Sequence, residues 1–176
     1  KAYLEMVNSQ GGVHGRTIRF IHSDDEMNPE KGKALYDKLI NDDKVFAIVG
    51  AFGTPVVGAI MEDLKDAGIP AVYFATGMSM LYNENATGRD RGIFPIQPIY
   101  TTEGRVMAAW AKGTFKGKKF GVIYSGDDAG KGMYEGITKQ AKEIGLEVVA
   151  EQVPFGAEDV SAAVMKVLSS NVDVVA

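Results

Sequence analysis

The chain contains no cysteine, which excludes disulfides, thiolate metal centres and a cysteine nucleophile, and leaves the redox compartment open. Histidine is nearly absent too. His14 and His22 flank a strand-like segment, with no carboxylate spacing around them that points to a metal site, so both read as turn or strand residues. There is no basic excess: the net charge is -4 and the lysines are dispersed, which argues against nucleic acid and against an anionic membrane surface as partners. No apolar run approaches the roughly 20 residues that span a bilayer, so no membrane insertion is expected of this segment. No signal peptide is recognisable either, which places any targeting segment outside this sequence.

The common chemical motifs are missing as well. Gly126-Asp127-Asp128-Ala129-Gly130-Lys131-Gly132 has three residues, not four, between its outer glycines before the lysine, and no Ser or Thr follows Lys131, so it is not a phosphate-binding loop. Gly50-Ala51-Phe52-Gly53 lacks the spacing of a dinucleotide fingerprint and an acidic residue placed for a ribose. No nucleophile elbow and no coherent Ser, His and Asp set exists, so catalysis is not expected. Asp24, Asp25 and Glu26 read as a turn ahead of a capped helix rather than a calcium loop, and Asp127 and Asp128 as helix caps rather than an acid/base pair. No cofactor is called for.

What is present is a globular composition, 45% hydrophobic and 24% charged over 176 residues, enough for one large or two small domains. The pattern alternates strand and helix. Lys1 to Gln10 carries Tyr3, Leu4 and Val7 on one helical face and ends at Gly11-Gly12; Arg16 to His22 is β-like; Asn28-Pro29 reads as N-cap and N1 of a helix with Leu35, Tyr36, Leu39 and Ile40 inward. Val45 to Val49 is a strand, a helix carrying Val57, Ile60, Met61 and Leu64 ends near Gly68, and Ala71 to Phe74 is the next strand. Between Tyr82 and Arg91 a polar run breaks the periodicity, and the proline-punctuated segment to Pro98 comes next; a domain crossing is expected there. Thr101 or Thr102 then caps a helix with Val106, Met107 and Trp110. The alternation resumes with strand Phe120 to Tyr124, helix Ala129 to Ile144, strand Leu146 to Val153, helix Val160 to Leu168 and strand Val172 to Val175. This is an α/β fold with parallel sheets, divided as 1–95 and 96–176.

Two strand ends draw attention. Ile48 to Pro55 and Ala71 to Gly77 are short apolar runs, read as buried parallel strands, that stop in Gly, Ala and Thr. In open α/β sheets a ligand sits beyond the carboxyl ends of the strands, against backbone N–H groups and helix N-termini. Phe52, Gly53, Thr54, Ala75, Thr76 and Gly77 are therefore candidate contacts. Thr54-Pro55 has an equally complete structural explanation as N-cap and N1, and Phe52 is as consistent with a core position as with a cleft.

Met6-Val7-Asn8 through Gly15, Asp24-Asp25 with Asn28-Pro29, Gly53-Thr54-Pro55, Gly68-Ile69-Pro70, Phe74 to Gly77, Tyr100, Glu103-Gly104-Arg105 and Ser125 to Gly132 occur in one order along the chain. In that order and spacing the sequence resembles the branched-chain amino acid type of periplasmic solute-binding protein, the receptor of ABC importers. The resemblance implies two Rossmann-like lobes with parallel sheets, the type I periplasmic binding fold, both incomplete in this chain. It implies a small polar solute (amino acid, aromatic acid or amide) held between hinged lobes and delivered to a membrane permease, in the periplasm or outside the cell, with a lipid anchor on a segment beyond this sequence as one arrangement. A ligand-sensing domain of the same fold is the alternative. Incomplete sheets also leave room for completion by another copy. By the same resemblance the ligand acceptor group meets Thr54 and Gly77, its amine-like end meets the Ala75 carbonyl, and the second lobe closes at Ala129. There the family often has an aromatic residue, so alanine leaves space for a bulkier ligand. Gly77 lacks the hydroxyl of the leucine-type proteins, which Thr76 beside it could replace. Met27 and Gly53 stand where those proteins have a disulfide pair.

Overall fold

A computed structural model describes residues 1–176. Helix α1 (Ala2–Ser9) leads through a turn into extended chain, and α2 (Pro29–Asn41) starts as its sequence predicts, the Asn28 side chain accepting from the Lys31 N–H at 2.9 Å with proline in the first turn. Strand β1 (Ile48–Val49) and helix α3 (Thr54–Ala67) come next; α3 ends on left-handed Gly68 (φ 64°). Strand β2 (Ala71–Phe74), two short 3₁₀ turns (Ser79–Leu81 and Gly88–Gly92) and β3 (Ile93–Pro95) complete a parallel sheet of order β1-β2-β3.

The second half repeats the plan with longer strands. Helix α4 (Tyr100–Gly113), β4 (Lys119–Ser125), α5 (Asp128–Ile144), β5 (Glu147–Val153), α6 (Ser161–Ser169) and β6 (Val174–Val175) form a parallel sheet of order β5-β4-β6. Each sheet has its own core. Val57, Ile60, Met61, Leu64, Ala71 and Phe74 dominate the first, and Ala108, Phe120, Val122, Ile137 and Ala141 the second.

Three expectations are corrected. Arg16 to His22 forms no strand: the Asn8 amide occupies both backbone groups of Ile18, accepting from its N–H at 2.7 Å and donating to its carbonyl at 2.8 Å, so a side chain takes the place of a neighbouring strand. The polar run from Tyr82 to Arg91 leads into β3, which pairs with β2, and the chain passes to the second sheet between Pro95 and Tyr100. The strands of the first sheet are not covered on both faces. In register, Ile48, Ala71 and Ile93 face the core, while Val49 (60% exposed), Val72 and Phe94 (51% exposed) form an open row. Finally, α4 begins at Tyr100 behind Ile99, with no side-chain cap from Thr101 or Thr102. The Tyr100 N–H donates to the Gly77 carbonyl at 2.8 Å, and this bond sets the start of the helix.

Two close approaches fix how α4 and α5 lie. A Cβ on Gly104 would meet the Met133 carbonyl oxygen at 2.1 Å, and one on Gly136 the Thr101 carbonyl oxygen at 2.0 Å. Only glycine lets the helix backbones come so near.

Candidate functional site

The site forms where β1 and β2 run out toward α4. Gly53, at φ 89°, is the N-cap of α3, so Thr54 is the first helical residue and Pro55 the second. That shift of one position removes the capping explanation for Thr54: no side chain caps α3. Its hydroxyl instead lies 2.7 Å from the Thr76 hydroxyl and 3.4 Å from the Tyr100 phenol. The first contact is a firm hydrogen bond and the second a long one. Thr54 is 5% exposed and Thr76 fully buried, so these hydroxyls are deliberate polar groups in an otherwise apolar region.

Strand β2 reaches this position through an irregularity. Its register against β3 shifts between Val72 and Phe74, and Tyr73 between them has φ 60°. Such a bulge rotates the residues after it, and here Phe74 and Thr76 both end up buried. Ala75 is tied to the first strand from both sides: its N–H donates to the Ala51 carbonyl at 2.8 Å, and its carbonyl accepts from the Gly53 N–H at 3.4 Å. Gly77 is required by the crossing chain. A Cβ there would stand 2.5 Å from the Pro98 carbonyl oxygen and 2.9 Å from the Tyr100 ring.

In the sequence Tyr100 stands out only through the family resemblance, yet it is the group that joins the two halves. Burial alone would raise its phenol; hydrogen bonding with Thr54, Thr76, the Gly77 backbone and Gln97 outweighs that and holds it below its ordinary value. No local signal marks this role, because Tyr100 and Thr54 are 46 residues apart.

The other candidates fall around this cluster. Gly53 packs under the Met27 sulfur, which a Cβ would approach to 2.6 Å. Phe52 bridges to Ala75 but alternates outward from buried Ala51 and Gly53, 63% exposed, and lines neither of the cavities beside Tyr100. Ala129, half-buried in the first turn of α5, lines a cavity of about 300 Å³ whose wall includes Tyr100. Ahead of it Asp127 caps α5, accepting from the Gly130 N–H at 3.2 Å and from the Ser125 hydroxyl. A second cavity of about 280 Å³ opens on the other side of Tyr100, between Gly77 to Met80 and the charged side chains Asp128, Lys131 and Glu135.

Three helices thus start near one residue: α3 at Thr54, α4 at Tyr100 itself and α5 at Asp128. The aligned dipoles at the starts of α3 and α4 favour negative charge and the hydroxyls there can donate to it, while the carboxylates of Asp127 and Asp128 already occupy the start of α5. No carboxylate lies within the Thr54, Thr76 and Tyr100 cluster to repel an anion.

The fold is α/β, with two parallel sheets and the candidate site beside their strand ends. A family model described as periplasmic binding protein matches residues 1–176, and the chain belongs to that family. An amino acid binding protein of Pseudomonas aeruginosa is 30% identical over 173 residues, covering 97% of this chain and 45% of the relative. Among solved structures, a fatty acid ABC transporter substrate-binding protein from Thermomonospora curvata superposes with TM-score 0.84 at 25% identity, over 98% of this chain and 43% of that one. A solute-binding protein of an R. palustris ABC transporter, in complex with benzoate, superposes with TM-score 0.82 at 27% identity, over 98% and 48%. The chain spans about half the length of the curated relatives it matches. The relatives are binding proteins of transporters rather than enzymes, and membership of the family implies a periplasmic or extracellular location. No helix is long and apolar enough to cross a membrane.

Proposed function

We propose that this chain is the solute-capturing part of an ABC importer receptor, which holds a small carboxylate-bearing solute between two lobes, residues 1–95 and 96–176, and presents it to a membrane permease. The observation that carries this is the meeting of the Thr54, Thr76 and Tyr100 hydroxyls at the starts of α3 and α4. The carboxylate docks on Thr54, with the Gly77 turn and the Ala75 carbonyl beside it and Phe52 as the outermost contact. Rotation about the 96–99 crossing then brings Ala129 and the Ser125 to Gly130 loop over the solute. Binding favours closure only by its greater affinity for the closed form. The names of the relatives, which cover amino acids, a fatty acid and benzoate, support a carboxylate as the shared feature.

A thermal-shift screen of the full-length protein against aliphatic amino acids, aromatic carboxylates and amides tests this reading, with Thr54→Val in parallel. A solute at a hundredfold excess over its dissociation constant stabilises by about 2.7 kcal/mol. Hits confined to carboxylates and lost in Thr54→Val are expected. Stabilisation by amides alone, or hits indifferent to Thr54→Val, would overturn the anchor.

A further inference from the structure

We propose that Met27 is an oxidation site, and that its conversion to the sulfoxide by a peroxide loosens the start of α3, where Thr54 stands. Of the eight methionines, Met61 and Met78 are buried and Met107 and Met133 half-buried. Met6, Met27, Met80 and Met165 are exposed. Met27 stands apart because its sulfur lies on the backbone of the site: a Cβ on Gly53 would come within 2.6 Å of its Sδ and 2.9 Å of its Cε.

Neither side of this contact can back away cheaply. Glu26 and Met27 are consecutive left-handed residues (φ 55° and 58°), and the turn is tied by Asp24 accepting from the Glu26 N–H and Asp25 from the Met27 N–H, both at 2.9 Å. The Asn28 N–H donates to the Asp25 carbonyl at 2.9 Å, and its side chain caps α2, so the turn is fixed to that helix. Helix α2 in turn presses on α3, where a Cβ on Gly32 would stand 2.6 Å from the Val56 side chain. On the other side, the Gly53 N–H donates to the Ala75 carbonyl and its carbonyl accepts from the Val57 N–H at 2.9 Å. The sulfur fills the space between two fixed pieces of backbone.

Hydrogen peroxide supplies the oxygen. The sulfur lone pair forms an S–O bond as the O–O bond breaks; sulfur is oxidised by two electrons, and the peroxide is reduced and leaves as water. An apolar thioether thereby becomes a polar, chiral group. The Gly53 N–H is already bonded to Ala75 and cannot serve the new oxygen, so keeping that oxygen packed there unpaired costs free energy. Met27 is 37% exposed, which puts water within reach, and the oxidised side chain turns outward. That uncovers Gly53, buried in the unmodified protein, at the start of a helix that no side chain caps. The change is reversible, because methionine sulfoxide reductases restore the thioether. The oxidation and its effect on α3 stand without the solute anchor proposed above; only a consequent loss of solute capture rests on it, since Thr54 is the next residue.

Mild hydrogen peroxide treatment of the full-length protein tests this, with peptide mass spectrometry to place the added oxygen and hydrogen exchange across residues 53–57 to read the start of α3. The wild type, Met27→Leu and Met80→Leu are compared, leucine being close to methionine in volume and unable to form a sulfoxide. Met27 should be oxidised well before Met61 and Met78. Exchange at residues 53–57 should then rise by about tenfold in the wild type and in Met80→Leu, as expected when a polar group loses its packed place, and stay unchanged in Met27→Leu. Reduction of the oxidised wild type by methionine sulfoxide reductases should return the slow exchange, and this step serves if Met27→Leu folds poorly. Met27 left intact while Met6 and Met165 are converted would overturn the proposal. So would an equal rise in Met27→Leu, a rise abolished in Met80→Leu, or fast exchange that persists after reduction. No solute enters these measurements, so their outcome is separate from that of the anchor.

Discussion

Thr54 and Thr76 depend on each other, because each hydroxyl is buried and the two lie 2.7 Å apart. Thr54→Val removes one partner of the Thr76 hydroxyl and leaves it the Tyr100 phenol, so it should cost about 1 kcal/mol, whereas Thr54→Val with Thr76→Val should cost less than the two single changes summed. Chemical denaturation of the four proteins measures that coupling, and strict additivity would mean the hydroxyls act alone. Tyr36 carries a separate alkaline signature: burial, and secondarily the charge of Asp25, push its phenol up to about 12 from 10.0. The fold thus favours the neutral phenol, so this contribution is complete below the ordinary value and is lost as pH rises through about 12. Tyr36→Phe should remove that part of the alkaline decline in stability; identical pH profiles would refute it. At this scale the sequence could show that Thr54 stands at a strand end, but not that Gly53 takes the cap. That depends on a left-handed φ of 89°, which only the folded turn reveals. Tyr100 was legible only through the family resemblance, since its partners are distant in the chain and no local periodicity reports them.

Among the elements, helices with explicit ends and the apolar strands were readable, and a strand-like segment with no partner strand was not. Asn28-Pro29 opens α2 and Gly68 and Gly145 close α3 and α5 as their chemistry dictates. Asn28→Ala should therefore cost about 1 kcal/mol in thermal or chemical unfolding. Arg16 to His22 has strand composition, yet a strand is defined by its neighbour, and the Asn8 side chain occupies Ile18 instead. The α4 and α5 contact decides a sign. Alanine is normally better than glycine inside a helix by roughly 0.5–1 kcal/mol, but at Gly136 its Cβ would stand 2.0 Å from the Thr101 carbonyl oxygen. The overpacking cost of about 1–3 kcal/mol should win, so Gly136→Ala is expected to destabilise. Because Tyr100 lies next to Thr101, the same change should also weaken solute binding. A stabilised variant with unchanged affinity would show that the helices have slack.

In the whole molecule, two cores and two parallel sheets meet at the strand ends, an arrangement the alternation of strand and helix foretold in outline. It did not foretell the open row of Val49, Val72 and Phe94, because an apolar strand looks the same in sequence whether one face or both are covered. An exposed apolar sheet face predicts that this chain expressed alone binds a hydrophobic dye such as anilinonaphthalene sulfonate, and that Val49→Lys with Phe94→Lys reduces the fluorescence. Unchanged fluorescence would place the dye elsewhere. The proposed anchor bears most on function: the Thr54, Thr76 and Tyr100 hydroxyls meet where the first sheet ends and α4 begins. A crystal structure of the full-length protein with benzoate examines that arrangement in one step. The carboxylate should lie within hydrogen-bond distance of the Thr54 hydroxyl and the Tyr100 phenol; a carboxylate bound away from both hydroxyls would contradict it.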